Sequence, residues 1–184
     1  MKTLINNRRQ LVMVLVLAIL AGSSGLLYYC HWKEATKEAT SRERCQANLH
    51  ELWTAAKLYG PYQVESFPPT LQVMFKISAY PSIYICPATG HHPGDTNHVD
   101  LWTDYVYVSG LKESDPPSCV LAFCPPENHQ GKGANVLFVD GKVRWYSVEE
   151  FKKLTSNPSL FFGVKDSNAL EKLRSKTKIL YPKH

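Results

Sequence analysis

The segment Ala134–Tyr146, ANVLFVDGKVRWY, decides the fold because it has the pattern of a β-hairpin. Two runs rich in β-branched and aromatic residues, Ala134–Val139 and Lys142–Tyr146, flank the dipeptide Asp140-Gly141. Asp-Gly between such runs is the preferred sequence of a type I′ turn, in which both central residues have positive φ. The segment therefore predicts an antiparallel sheet.

The residues on either side of this hairpin extend the sheet and add short helices. Ser147 followed by Glu150 is a capping-box pattern and predicts a helix over Val148–Leu154. A last helix over Asn168–Lys178 is predicted, with Asp166 or Ser167 as its cap. Short apolar runs before the hairpin predict further strands, at Ser82–Cys86, Thr103–Val108 and Cys119–Phe123.

A long amphipathic helix is predicted before the sheet. Its apolar face comprises Ala35, Ala39, Cys45, Leu49, Leu52, Trp53, Ala56 and Tyr59, at steps typical of one helix face. Gly60-Pro61 ends it. The simplest prediction is one helix from the apolar segment to Tyr59; the alternative is two helices with a break near Gly22–Gly25. The fold class is α+β, a long N-terminal helix packed on a small antiparallel sheet with short C-terminal helices.

The segment Leu11–Tyr29, LVMVLVLAILAGSSGLLYY, predicts a membrane anchor. Its 19 residues carry no charge, and as a helix they extend about 28 Å, close to the thickness of a bilayer core. Lys2, Arg8 and Arg9 precede it, so the N-terminus is expected in the cytoplasm and the main domain on the other side of the membrane. The alternative is a cleaved signal peptide with an apolar core at Leu11–Leu20.

This organisation gives five predicted segments. They are a cytoplasmic N-terminus at 1–10, a transmembrane helix at 11–29, an amphipathic stalk helix at 30–60, a sheet domain at 61–154 and a basic, partly helical tail at 155–184. Residues 150–184 hold 8 basic and 3 acidic side chains, so 8 − 3 = 5 accounts for the whole net charge of +5. The sheet domain therefore lacks the basic surface that a nucleic-acid partner requires.

The cysteines and histidines leave two alternatives open. An exported domain favours disulfides, and Cys86, Cys119 and Cys124 are the candidates. Zinc is only weakly indicated, because the spacing is Cys-x4-His and Cys-x4-Cys rather than Cys-x2-Cys. The ligands of such a zinc site would be Cys86, His91, His92, His98, Cys119 and Cys124. Cys45, on the apolar helix face, is expected to be plain core, and no metal or cofactor is predicted.

Catalysis is not predicted. His129 could pair with Asp140 or Glu127, but no nucleophile motif, phosphate-binding loop or metalloprotease motif accompanies them. Asp140 is explained by its turn. His129 is expected to form a hydrogen bond across the Gly131–Gly133 loop and to fix the hairpin.

Several segments together resemble a known family. Ser41–Gly60 (SRERCQANLHELWTAAKLYG) is similar to the helix after the membrane span of type IV pilin-like proteins and type II secretion pseudopilins. Tyr84–Thr89 (YICPAT), Asp104–Leu111 (DYVYVSGL) and Glu127–Phe151 resemble the prepilin-type processing-associated domain named for His, nine residues and Asp-Gly. The matching motif residues, structural in role, are His129, Gly133, Asn135, Asp140 and Gly141.

The chain departs from the family pattern in two ways. Ten residues, Gln130 to Val139, separate His129 from Asp140. The sequence before the apolar run, MKTLINNRRQ, contains neither the Gly of a prepilin peptidase site nor the Glu expected at mature position five. Processing by that peptidase is therefore not predicted.

The resemblance implies a structural subunit or accessory protein of a type II secretion or type IV pilus-like apparatus. Its partners would be membrane lipid and other pilin-like subunits, itself included, through the N-terminal helix. Small residues that permit close helix approach are Gly22, Ser23, Ser24 and Gly25. The alternative is a membrane-tethered module that binds an extracytoplasmic ligand through Tyr80, Tyr84, Trp102, Tyr105 and Tyr107.

Overall fold

The computed structural model describes the backbone of residues 2–59 and 66–156, and the side chains of residues 25–59 and 66–156. The predicted helix Asn168–Lys178, most of the basic tail, the Gly60-Pro61 stop and the side chains of residues 11–24 lie outside these ranges. The chain divides into two compact units, residues 1–40 (unit 1) and 41–184 (unit 2). A search of the described residues finds no helix with the length and apolar character needed to cross a membrane.

Helix α1 runs from Lys2 to Tyr59. Within unit 2 its buried residues are Cys45, Leu49, Leu52, Ala55 and Ala56, at the three- and four-residue steps that keep side chains on one helix face. The charged residues Glu43, Arg44 and Glu51 are exposed on the other side. The predicted apolar face of this part of the helix is therefore confirmed.

The sheet has four antiparallel strands in the order β1-β2-β3-β4, so consecutive strands are neighbours. The strands are β1 (Val106–Tyr107), β2 (Val120–Cys124), β3 (Gly133–Phe138) and β4 (Val143–Ser147). Every residue of β2 and β3 is buried. The α+β class is confirmed, whereas β1 is shorter than the predicted strand Thr103–Val108.

Short helices connect and cover these strands. They are α2 (Leu71–Phe75), a first 3-10 helix (Pro81–Tyr84), α3 (Val99–Trp102), a second 3-10 helix (Pro126–His129) and α4 (Val148–Thr155). The predicted strand Ser82–Cys86 is wrong, because Pro81 opens a 3-10 helix there, where its fixed φ and missing N–H suit a first helical turn. The capping box of Ser147 and Glu150 at the start of α4 is confirmed.

The turn between β3 and β4 differs from the predicted type I′ turn. Gly141 has φ of +81°, but among the described non-glycine residues only Gln130 has positive φ, so Asp140 does not. The Gly141 N–H donates to the Phe138 carbonyl at 2.9 Å and the Phe138 N–H donates to the Lys142 carbonyl at 3.0 Å. This is a three-residue loop in which a type I turn is followed by a glycine bulge.

The turn is fastened to α1. The indole Nε1 of Trp53 donates to the Val139 carbonyl at 3.0 Å, and Nδ1 of His50 lies 3.2 Å from the Gly141 carbonyl oxygen. A Cβ placed on Gly141 would come within 2.7 Å of the Trp53 ring. Gly141 is thus required both by its backbone conformation and by the helix against it.

Candidate metal centre

Three cysteines and one histidine meet in the core of unit 2. Cys45, Cys86, Cys124 and His129 are each 0% exposed, and their ligand atoms all lie within 4.8 Å of one another. We call this group the cysteine–histidine cluster. Thiol and imidazole groups at such distances can share one metal ion, form a hydrogen-bonded network, or, for two of the thiols, form a disulfide.

Four separate segments supply the four side chains. Cys45 lies on the buried face of α1, and Cys124 is the last residue of β2. Cys86 follows the first 3-10 helix, and its N–H donates to Oδ2 of Asp104 at 2.9 Å. His129 ends the second 3-10 helix, which begins at Pro126 two residues after Cys124.

A left-handed residue allows the chain to turn away from the cluster after His129. Gln130 has φ of 58° and caps the second 3-10 helix, its N–H donating to the Glu127 carbonyl at 3.2 Å. The ring of His129 packs edge-on to Trp145 of β4 with 5.1 Å between centroids. The guanidinium of Arg42 lies over that indole at 5.1 Å. The histidine ring is therefore fixed by packing from β4.

Hydrogen-bond donors point at the sulfur atoms. The Tyr105 hydroxyl donates to Sγ of Cys45 at 3.8 Å, and Nδ2 of Asn128 donates to Sγ of Cys124 at 3.3 Å. Nε2 of His129 lies 3.5 Å from Sγ of Cys86. Donors of this kind stabilise thiolate more than thiol, since the negative charge strengthens the bond.

These contacts separate the proton affinities of the cysteines. Hydrogen bonds from Cys124 and Cys86 lower the pKa of the Cys45 thiol to about 4, against the opposing effect of burial. Burial, with the hydrogen bond to Cys45, raises the pKa of Cys124 well above its usual value. The contacts within the cluster therefore lower the proton affinity of Cys45 and raise that of Cys124.

The predicted zinc ligands are only partly brought together. Cys86 and Cys124 belong to the cluster, whereas its other members are Cys45, predicted as plain core, and His129, predicted to fix the hairpin. Cys119 is buried away from the cluster, with its carbonyl accepting the Val139 N–H at 2.9 Å. All five cysteines are free thiols, so the structure contains none of the disulfides predicted among Cys86, Cys119 and Cys124.

The three histidines of the segment Gly90–His98, which we call the histidine loop, lie elsewhere and are exposed. Nδ1 of His91 lies 2.8 Å from Oδ1 of Asp104, and Nδ1 of His98 lies 2.8 Å from Oδ2 of Asp95. His91 and His98 thus contact carboxylates rather than cysteines. The structure does not bring His91, His92 and His98 to Cys86, as the weakly indicated zinc site would require.

The remaining motif residues serve the packing of the hairpin. Asp140 accepts hydrogen bonds from the backbone N–H and Nζ of Lys142, at 3.0 and 2.7 Å. A Cβ on Gly133 would collide with the Tyr146 carbonyl oxygen and would lie 2.7 Å from the Trp145 ring. Asn135 is buried, and its Nδ2 donates to the Arg42 carbonyl at 3.1 Å.

Two other sets of predicted residues have separate outcomes. Of the helix-packing residues, Gly25 has open space around its Cα, while the side chains of residues 22–24 lie outside the described ranges. The five aromatic residues of the predicted ligand surface do not form one surface. Tyr84 and Tyr105 are core residues, Trp102 and Tyr107 are half-buried, and Tyr80 is exposed.

Sequence reasoning missed Cys45 and His129 as potential ligands because it searched for close spacing. One local signal was present, since Cys86 and Cys124 are each followed by proline, in ICPAT and FCPPEN. Proline cannot continue a helix or a central strand, so a Cys-Pro pair indicates a cysteine beside a break in regular structure. Comparison of the chain with models of protein families, with curated proteins and with solved structures gives no match.

Proposed function

We propose that the protein is a membrane-anchored, pilin-like structural subunit or accessory protein of a type II secretion or type IV pilus-like apparatus. The anchor is the uncharged segment Leu11–Tyr29, and unit 2 is the extracytoplasmic domain. No enzymatic activity is part of this proposal.

The observation that carries it is an apolar, aromatic surface on the unit 1 part of α1. Leu26, Leu27, Tyr28, Tyr29 and Trp32 are between 55% and 76% exposed. A run of large apolar side chains this exposed marks a surface that lipid or another protein covers. Tyr and Trp with adjacent leucines are typical of the interface between membrane and water, where an aromatic ring has both an apolar and a polar neighbour.

The arrangement of unit 2 supports the same proposal. A helix with one apolar face packs on an antiparallel sheet, which is the architecture that the family resemblance implies. The most specific part of the resemblance is the block His129 to Trp145. Within it, Asp140-Gly141 forms the turn that Trp53 and His50 hold against α1. The motif therefore has a mechanical role, joining sheet to helix, which suits a structural protein better than an enzyme.

Membrane fractionation of the full-length protein tests the anchor. We expect the protein to remain in the membrane pellet after alkaline extraction and to need detergent for release. The variant Leu15→Arg/Leu17→Arg places two charges in the apolar segment and should move most of the protein to the soluble fraction. Leu101→Arg is the matched control, because Leu101 is 83% exposed and lies outside the segment.

Mass analysis of the protein from isolated membranes tests the subunit role. A full-length chain supports a membrane-resident accessory protein, and a methylated new N-terminus at the start of the apolar run supports a polymerised subunit. Release of unit 2 as a soluble, cleaved protein would contradict the proposal. So would a wild-type protein that alkaline extraction removes from the membrane as completely as the double-arginine variant.

Self-association is a second consequence. If helices pack through the small residues, crosslinking of the wild-type protein in membranes should give dimers, and Gly22→Leu/Gly25→Leu should reduce them. The control Gly90→Leu changes a glycine of the histidine loop. Equal crosslinking of all three proteins would mean that the helices do not associate through these small residues.

The alternative of a ligand-binding module has less support. It requires several exposed aromatic side chains, and of its five residues only Tyr80, at 71%, is largely exposed. The single O–H of Tyr105 instead has two acceptors within reach in the core, the Ile85 carbonyl at 3.2 Å and Sγ of Cys45 at 3.8 Å.

A further inference from the structure

We infer that the cysteine–histidine cluster is a structural zinc site, in which Cys45, Cys86, Cys124 and Nε2 of His129 bind one Zn²⁺. This inference is independent of the proposed function, since it concerns only the core of unit 2.

The geometry suits a tetrahedral ion. With Zn–S bonds of about 2.3 Å and a Zn–N bond of about 2.0 Å, a tetrahedron places sulfurs about 3.8 Å apart and sulfur about 3.5 Å from nitrogen. Sγ of Cys86 and Nε2 of His129 are 3.5 Å apart, and all four ligand atoms lie within 4.8 Å of one another. Small movements of side chains would complete the tetrahedron.

The ligand set selects zinc among common metals. Three thiolates and one imidazole are soft and borderline donors, which disfavour Mg²⁺ and Ca²⁺, and four protein ligands in tetrahedral positions are typical of structural zinc. All four side chains are 0% exposed. A site closed in this way has no open position for a water or substrate, so the role is structural rather than catalytic.

The surroundings suit the charge of the occupied site. Zinc with three thiolates and neutral imidazole carries a net charge of −1, which must be stabilised when buried. The Tyr105 hydroxyl and Nδ2 of Asn128 already donate to two of the sulfurs. Asp104 fixes the backbone of Cys86, as residues outside the ligand set commonly do at metal sites.

The binding reaction is balanced as follows. All three cysteines bind as thiolates, so every cysteine that still carries its thiol proton gives that proton to solvent or to a base as its Zn–S bond forms. Three Zn–S bonds form in all, and the neutral imidazole donates its Nε2 lone pair to the ion. No electron is transferred. A disulfide between two of the same thiols would instead release two electrons to an oxidant and leave only one thiol and the imidazole as ligands.

Metal analysis of the full-length protein, purified in detergent from cells grown with zinc and without chelator, tests the site. We expect about one zinc per chain, and X-ray absorption at the zinc edge should show about three sulfur neighbours and one nitrogen neighbour. Cys45→Ser and Cys124→Ser should each lower the bound zinc at least tenfold. Cys119→Ser is the matched control, because Cys119 is equally buried but outside the cluster.

Measurements on the wild-type chain keep the test decisive if a variant fails to fold. Removing the metal with a chelator under reducing conditions should lower the thermal midpoint, and added Zn²⁺ should restore it. Added Co²⁺ should give the visible absorption of a tetrahedral thiolate complex. The inference would be overturned if the wild-type protein held less than about 0.1 zinc per chain and bound neither added ion. A disulfide within the cluster would also overturn it, as would equal zinc loss in Cys119→Ser and Cys124→Ser.

Discussion

Two parts of unit 2 concentrate histidine or cysteine, and their comparison separates closeness in sequence from closeness in space. The histidine loop places three histidines within nine residues, yet all three are exposed and two contact carboxylates. The cysteine–histidine cluster draws its members from positions 45 to 129, yet their ligand atoms lie within 4.8 Å of one another. The difference shows that closeness in sequence does not make a buried site. The buried site forms where a helix face and the ends of a strand and a 3-10 helix pack together, because that packing brings distant residues into contact.

The largest expected difference is between replacing the buried histidine of the cluster and replacing the exposed histidines of the histidine loop. His129→Ala removes a fully buried ring that packs against Trp145 and lies beside Cys86, and we expect it to lower the free energy of unfolding by about 3–5 kcal/mol. His91→Ala and His92→Ala should change it by less than about 1 kcal/mol, because both histidine side chains are exposed to water, which weakens their interactions. Urea denaturation measures all three. Equal losses at His129 and His91 would refute the distinction.

Two glycines give the next largest contrast. Gly141, at the turn fastened to α1, and Gly90, in the histidine loop, both have positive φ, of +81° and +71°. Alanine at Gly90 meets no atom within 4 Å and should cost only the backbone strain, about 1–2 kcal/mol. Alanine at Gly141 also meets the Trp53 ring at 2.7 Å and should cost about 2–4 kcal/mol.

Thermal or urea unfolding of the two alanine variants checks that difference. The additional loss at Gly141 should shrink in a Trp53→Ala background, since the ring is then absent. An additional loss that persists in that background would mean that Trp53 is not its cause.

Asp104 contacts both regions, since it accepts from Cys86 of the cysteine–histidine cluster and from His91 of the histidine loop. Its side chain is 6% exposed and accepts from Cys86 N–H, Thr89 Oγ1 and Nδ1 of His91, at 2.9, 2.8 and 2.8 Å. Asp104→Asn should destabilise the protein by about 1–3 kcal/mol, because a charged acceptor of several hydrogen bonds is lost.

The matched control is Asp95→Asn, which changes the other carboxylate that contacts a histidine. Its side chain is 57% exposed, so a smaller loss than at Asp104 is expected, because water weakens its interactions. A larger loss at Asp95 than at Asp104 in urea denaturation would show that the support of Cys86 by Asp104 is unimportant.

The smallest effect at neutral pH concerns the tyrosines Tyr84, which is buried, and Tyr107, which is half-buried. Burial raises the pKa of Tyr84, and burial with repulsion from Tyr59 raises the pKa of Tyr107. The unfolded chain ionises near pH 10 while these folded side chains stay neutral. Their contribution is therefore fully present below about pH 10 and is lost as pH rises toward the folded pKa values.

Urea midpoints measured from pH 7 to about pH 11 check this sign. Stability should fall above about pH 10, and Tyr84→Phe should reduce the steepness of that fall. An unchanged slope in Tyr84→Phe would mean that this hydroxyl ionises alike in the folded and unfolded chain.

Local patterns in the sequence predicted the elements that local interactions determine. The α1 face from Cys45 to Ala56, the β3–β4 hairpin and the capping box at Ser147 each follow from periodicity or from residues a few positions apart. The strand predicted at Ser82–Cys86 failed because apolar character alone does not distinguish a strand from a buried 3-10 helix that starts at Pro81. The type I′ turn failed because Asp-Gly also suits a type I turn with a glycine bulge.

The candidate site could not be predicted to the same extent. Cys45 has the helical spacing of a core residue, and no residue near it in the sequence indicates a metal ligand. His129 precedes the Gly131–Gly133 loop of the hairpin motif, so the sequence predicted that it stabilises the hairpin. Only the packing of α1 on the sheet brings Cys45 to Cys124, and that packing depends on tertiary contacts far apart in the chain.

The wide spacing of the cluster has a consequence for folding. From Cys45 to Cys86 the chain runs 41 residues and from Cys86 to Cys124 it runs 38, whereas His129 follows Cys124 by five. Closing a loop costs more entropy as the loop lengthens, by about 0.6 kcal/mol per doubling, and contacts between distant residues slow folding. The sequential strands β1 to β4 can pair over short distances first, with His129 already near Cys124. Completing the cluster then requires α1 to pack on the sheet, which closes the longest loop, from Cys45 to Cys86. We therefore expect the sheet to form before α1 packs against it.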